Sequence, residues 1–193
     1  PRQFTEGKPG MEGDYIFTLK TIADVGLVGF PNAGKSTLLN ALSNAAPKVA
    51  SYPFTTLVPM VGVIDYPDDF CSVTMADVPG LIEGAAENRG LGHRFLRHVE
   101  RCKILLFLLD MAATDGRDPI EDFEHLQKEL IDYDPRLADK PFLVVGNKND
   151  EENASENIKR FRIAFDHFEP HFISAVLEDG LKELQSILLK KLK

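Results

Sequence analysis

The chain is poor in cysteine, in surplus positive charge and in long apolar runs, and each shortage removes a class of protein. Its 193 residues hold two cysteines, Cys71 and Cys102, without metal-ligand spacing. Neither a disulfide scaffold nor a thiolate metal site is expected, and both read as reduced packing residues of a cytosolic protein, Cys102 at the end of a predicted helix. No apolar run approaches the roughly 18 residues of a transmembrane helix, and no signal-peptide pattern opens the chain, so no membrane contact is expected and a cytoplasmic location is. With 22 Lys and Arg against 30 Asp and Glu, the net charge is −8. That argues against a generally nucleic-acid-binding surface but leaves room for a local basic patch. His93 and His98 have no third ligand at a useful spacing and are assigned no metal. There is no internal repeat and no low-complexity tract.

What remains is one domain's worth of alternating strands and helices. Strands are expected at Ile22–Gly29, Met60–Tyr66, Cys71–Asp77, Lys103–Asp110, Phe142–Gly146 and His171–Ser174, several apolar on consecutive positions as doubly covered strands are. Helical spacing marks Lys35–Ser43, Gly92–Arg101, Pro119–Tyr133, Ala154–His167 and Glu178–Leu192. This order predicts an α/β fold, a three-layer αβα sandwich on a mostly parallel six-stranded sheet, with ligands collecting at the carboxyl ends of the strands. The first twenty or so residues are turn-rich and lack a core pattern, reading as a linker or the end of a preceding domain.

The most specific motif follows the first strand. Gly29-Phe30-Pro31-Asn32-Ala33-Gly34-Lys35-Ser36 is a Gly-x-x-x-x-Gly-Lys-Ser phosphate loop, continued by Thr37 into a helix. Its glycines let successive N–H groups face phosphates, Lys35 reaches the β and γ oxygens, and the Ser36 hydroxyl ligates Mg²⁺. The dipole of the following helix adds to the attraction. After the Phe142–Gly146 strand comes Asn147-Lys148-Asn149-Asp150. An aspartate there can accept the ring N–H and exocyclic amine of guanine, which adenine does not offer together. Lys148 can cover the base and Asn147 can tie this loop to the phosphate loop. Asp77-Val78-Pro79-Gly80 ends another strand, placing a carboxylate to hold Mg²⁺ through water and a glycine N–H to meet the γ-phosphate. Ser174-Ala175-Val176 can add backbone contacts to the base. GTP or GDP is therefore the expected ligand.

The segments between these motifs are more specific still. Ile22 to Pro31, Tyr52-Pro53-Phe54-Thr55-Thr56-Leu57-Val58-Pro59, Asp77 to Ala85 and Gly90 to Arg101 closely resemble the Obg family of ribosome-associated GTPases. The resemblance covers residues 15 to 193. It implies a P-loop GTPase domain over 21–193, with 1–20 as a linker or remnant of a glycine-rich domain. It implies that Phe54 to Val58 form the first switch, with Thr56 as second protein ligand of Mg²⁺; the residues alone do not separate Thr56 from Thr55. Lys35, Thr56 and Gly80 are the residues expected to act on the γ-phosphate. It further implies a role in assembly of the large ribosomal subunit with links to growth or stress control; slow hydrolysis of GTP and a monomer are expected besides.

Three features bear on rate and partner. Leu81 stands where Ras-like enzymes carry a water-orienting glutamine, so hydrolysis is expected to need outside help or to stay negligible until a partner docks. Asn32 fits two readings: a ligand for a K⁺ ion beside the phosphates, as in several potassium-stimulated GTPases, or a cap on its own loop. From Glu83 to Lys103 there are five Lys or Arg and three Glu, a local balance of +2. Arg94, Arg97 and Arg101 share a helical face near Arg89, fitting either ribosomal RNA phosphates or a solvated face.

Overall fold

The computed structural model describes residues 7, 10, 12–14, 23–49, 59–77 and 99–193. In chain order these form β1 (Ala23–Val28), α1 (Lys35–Leu42), β2 (Lys48–Val49), β3 (Met60–Tyr66), β4 (Cys71–Asp77), β5 (Cys102–Asp110), α2 (Pro119–Tyr133), β6 (Phe142–Asn147), α3 (Ala154–Ala164), β7 (His171–Phe172) and α4 (Leu181–Leu192). One sheet holds all the strands in the order β2-β3-β4-β1-β5-β6-β7. The mostly parallel sheet is as expected, and the two-residue β2 extends it at one edge. Strands β4, β1, β5, β6 and β7 run parallel, whereas β2–β3 and β3–β4 pair antiparallel.

Strand β5 shows why the layers form. Its Ile104, Leu106 and Leu108 join one buried cluster, with Leu38 and Leu39 of α1 and Leu184 and Leu188 of α4. Its Leu105, Phe107 and Leu109 join the other, with Phe123, Leu126 and Leu130 of α2 and Phe161 of α3. Side chains alternate between faces along a strand, so a strand covered on both sides must be apolar throughout. Phe107 meets Phe123 edge-on at a ring separation of 5.3 Å, the preferred arrangement of two aromatic quadrupoles. Helix α2 starts where Pro119 sits in its first turn and the Asp118 carboxylate accepts from the Ile120 N–H at 2.8 Å.

Several boundaries differ from expectation. Cys102 opens β5 rather than ending a helix; it is buried against the β1 side of the sheet, while Cys71 is exposed, and the two are not bonded to each other. Helix α3 stops at Ala164 instead of His167, because Phe165 leaves helical geometry and packs its ring 5.0 Å from Phe123. Helix α4 begins at Leu181 instead of Glu178, since Gly180 takes a left-handed φ of 72°. The last strand ends at Phe172; Ser174 pairs instead with Asp179. The expected helix at Gly92–Arg101 lies largely outside the described residues. So do Phe54–Val58, Val78, Pro79, Gly80, Arg89, His93, Arg94, Arg97 and His98. Arg101 is described and exposed. Among the described residues no helix is long and apolar enough to cross a membrane.

Candidate functional site

Strand β1 lies between β4 and β5, where the strand order reverses, and its carboxyl end opens into the phosphate loop. A crevice at such a switch point is the usual ligand site of this architecture. The backbone there leaves no room for side chains. A Cβ on Gly29 would lie 2.5 Å from the Leu108 carbonyl oxygen, and one on Gly34, at φ +97°, would lie 2.2 Å from Asn147 Nδ2. Asn32 also takes a positive φ, 61°, which asparagine tolerates better than most residues. Gly34 precedes α1 without a side-chain cap, and no acidic residue occupies the first turn. The N–H groups of Lys35, Ser36 and Thr37 thus head the helix without helical acceptors, an arrangement suited to an anion.

Lys35 and Ser36 of this loop both have protein partners. Lys35 Nζ donates to the carbonyls of Gly29 and Phe30, each at 2.9 Å. Burial lowers its pKa, with Asp77 opposing. The Ser36 hydroxyl donates to Asp77 Oδ2 at 3.0 Å, and the buried Asp77 Oδ1 has no hydrogen-bond partner among the described residues. Burial raises the Asp77 pKa, opposed by Lys35 and by the Ser36 bond. A hydroxyl and a desolvated carboxylate oxygen side by side suit a hard divalent cation such as Mg²⁺.

Asn147, only 3% exposed, joins the two ends of the site. Its Nδ2 donates to the Ala33 carbonyl at 2.9 Å, and its Oδ1 accepts from the Ala175 N–H at 3.0 Å. One amide therefore ties the phosphate loop, the carboxyl end of β6 and the segment after β7. Lys148 has φ 62°. The Asn149 N–H reaches the Ile173 carbonyl at 3.1 Å. Asp150 is exposed, and among the described residues no hydrogen bond or ion pair engages it. The Ser174 hydroxyl accepts from the Leu177 N–H at 3.1 Å, fixing the turn that carries Ala175 and Val176.

These loops enclose a cleft of about 490 Å³. Asn32, Gly34, Lys35, Ser36 and Thr37 line one end; Lys148, Asp150, Ser174 and Val176 line the other, with Asn147 between. Gly29, Phe30, Pro31, Ala33, Asp77, Asn149 and Ala175, also expected at the site, are not among the residues that line this cleft. Sequence reasoning missed Thr114 and Glu151, which also line the cleft, and the residues that brace it. Asp110 and Thr114 hold Lys148, Asp115 Oδ2 accepts from Asn32 Nδ2 at 3.0 Å, and Arg117 lies 3.5 Å above the Phe30 ring. A signal for Asp110 was present: it is an acid at the carboxyl end of a central strand, as Asp77 is.

Comparison with known proteins agrees with this geometry. The family model described as 50S ribosome-binding GTPase matches residues 24–148. The chain is 54% identical over 194 residues to the GTPase Obg of Opitutus terrae, covering 99% of this chain and 56% of that protein. It is 53% identical to the GTPase Obg of Akkermansia muciniphila, over 97% of this chain and 53% of the relative. The chain thus spans about half the length of these relatives. Among solved structures, Aquifex aeolicus Era bound to GDP and AlF4⁻ superimposes with a TM-score of 0.65 at 31% identity, covering 89% of this chain and 57% of Era. Era in complex with MgGDPNP and a 16S ribosomal RNA segment gives 0.65 at 30% identity, over 86% of this chain and 55% of the other. With the phosphate loop, the base-side loop and a shared cleft in place, these matches show that the chain belongs to the 50S ribosome-binding GTPase family, on its Obg branch.

Proposed function

We propose that this chain carries a guanine-nucleotide switch that binds GTP and slowly hydrolyses it to GDP and phosphate. The observation that carries the reading is Asn147: by bonding both Ala33 and Ala175 it sets the phosphate cradle and the open Asp150 carboxylate in one cleft. The phosphate chain would lie along the N–H groups from Asn32 to Thr37, with Lys35 leaving its loop carbonyls for the β and γ oxygens. The base would meet Asp150, with Lys148 across its face and the backbone of Ser174, Ala175 and Val176 at its edge. Mg²⁺, when bound, neutralises charge developing on the β and γ oxygens. Ser36 and Thr56 would hold it directly and Asp77 through water. The Gly80 N–H and Thr56 would then meet the γ-phosphate, and its loss would release both switches.

In this reading residues 21–193 are the GTPase domain, and 1–20 lead in from another domain. The chain works in the cytoplasm as a monomer, and the partner is the large ribosomal subunit or its RNA, met in part by Arg94, Arg97 and Arg101. The family description supports that partner, and the Era structure bound to a 16S segment, which is small-subunit RNA, supports contact with ribosomal RNA only in general. Reversing the three arginines to glutamate should abolish nucleotide-dependent sedimentation with ribosomes. Asp150→Asn should lose GTP and gain xanthosine triphosphate; unchanged preference would sink the base assignment.

A second reading is favoured by Leu81, which cannot orient a water: a nucleotide-sensing module with negligible turnover until docked. Single-turnover hydrolysis in KCl and in NaCl at matched ionic strength separates the two. Faster turnover in KCl supports a catalytic K⁺ near Asn32 and a self-sufficient enzyme. Equally negligible turnover in both supports the docked module.

A further inference from the structure

Lys148 stands in a conformation that needs explaining. Its φ of 62° is in the left-handed region that residues with a Cβ seldom occupy. Its side chain is also held at the tip: Nζ donates to Asp110 Oδ2 and to Thr114 Oγ1, each at 2.7 Å. The Lys148 and Asp110 side chains are only 22% and 13% exposed, so this pair is shielded from water far better than an ordinary surface ion pair.

Asp110 is equipped to be a fixed anchor. It ends β5 in register with Asn147 of β6. Its Oδ1 accepts from the Ala112 N–H at 2.9 Å, and its Oδ2 accepts from the Thr114 N–H at 3.2 Å and from the Thr114 hydroxyl. The Met111 N–H donates to the Asn147 carbonyl at 3.0 Å. The carboxylate therefore folds the 110–114 turn onto the base-side loop and offers Lys148 a partner that cannot move away. Burial by itself would raise the Asp110 pKa, but the bonds from Lys148 and Thr114 hold it below the ordinary value. Thr114 and Lys148 both line the cleft.

We propose that Asp110, assisted by Thr114, is a positioning residue for guanine recognition, pinning the Lys148 amine so that its carbon stem forms a preset wall for the base. This rests on reading Asn147–Asp150 as the guanine-binding loop. A lysine left unpinned would have to be ordered each time nucleotide binds, and a pinned one is ordered in advance.

A double-mutant cycle tests it, read by the affinity and release rate of fluorescent GDP. Asp110→Asn keeps the shape of the side chain and removes its charge, and Thr114→Val removes the second acceptor for the amine, together with the hydroxyl bond to Asp110, while the Asp110 carboxylate itself stays in place. Each should weaken GDP, Asp110→Asn by about ten-fold, the scale of one charge-assisted hydrogen bond. In a Lys148→Met background, which keeps an apolar stem and has no amine to pin, both effects should vanish. Inorganic triphosphate, which has no base, should compete equally well with every variant. Equal weakening of GDP in both backgrounds would show that Asp110 merely supports its turn, and would overturn the proposal. If the unaltered chain binds GDP in preference to ADP while Asp110→Asn releases it at the unaltered rate, the positioning role alone fails. If the unaltered chain shows no preference for GDP over ADP, the guanine reading fails and the proposal with it.

Discussion

Asn147→Ala is the substitution for which the structure gives the sharpest expectation. The side chain is 3% exposed and makes two hydrogen bonds, at 2.9 Å to the Ala33 carbonyl and 3.0 Å from the Ala175 N–H. Each is neutral, so each contributes about 1 kcal/mol net, and each leaves behind a backbone group whose lost partner costs about 1–3 kcal/mol if it stays dry. The amide borders the cleft, so water can reach part of the gap and the lower half of that range applies. The two losses together cost about 2–4 kcal/mol, which for a domain of this size lowers the melting temperature by roughly 4–16 °C. Nucleotide affinity should fall further than stability alone predicts, because the phosphate and base loops lose their common tie; a mutual misplacement costing about 1.4 kcal/mol is ten-fold in affinity. Thermal melts of the nucleotide-free protein and GDP titrations measure the two effects separately. Asn147→Asp sharpens the test: an ionised carboxylate would face the Ala33 carbonyl, acceptor against acceptor. It should be worse than alanine at neutral pH and partly recover in acid. A melting temperature within about 2 °C of the unaltered chain, with undiminished GDP affinity, would refute the idea that Asn147 couples the loops.

Two further perturbations follow from the same geometry. Gly34→Ala forces a Cβ to 2.2 Å from Asn147 Nδ2 at a φ of +97°; the backbone strain alone is about 1–2 kcal/mol, and GDP affinity by fluorescence titration should fall by at least the Asn147→Ala amount. Asp77 behaves differently, because burial raises its carboxyl above the ordinary value of 3.8 despite Lys35 and Ser36. With the folded value raised, the linked stability is full below the ordinary value and is lost as pH rises through the raised one. Asp77→Asn should therefore raise the neutral-pH melting temperature of the nucleotide-free chain, show little gain in acid, and lose the Mg²⁺-dependent increase in GDP affinity. A lower melting temperature with the Mg²⁺ effect intact would contradict both the burial and the ligand assignments.

Motifs confined to short stretches were legible in the chain before any fold was known. A phosphate cradle must be built from consecutive N–H groups, so its glycines, Lys35 and Ser36 are neighbours in the chain and legible as a motif. The same holds for Asn147 to Asp150. The doubly buried strands were legible because burial on both faces demands unbroken apolar runs, as in Ile104 to Leu109. Element ends were less legible where packing overrode periodicity: Phe165 serves the aromatic cluster rather than its helix, and Cys102, expected to end the preceding helix, opens the strand instead. How the motifs are held could be read only from the folded chain. Asn147 reaches Ala33 across 114 positions, Asp115 reaches Asn32 across 83, and Lys148 finds Asp110 across 38. Such pairs carry no local spacing, because they arise where the carboxyl ends of parallel strands are brought side by side by the order of the sheet.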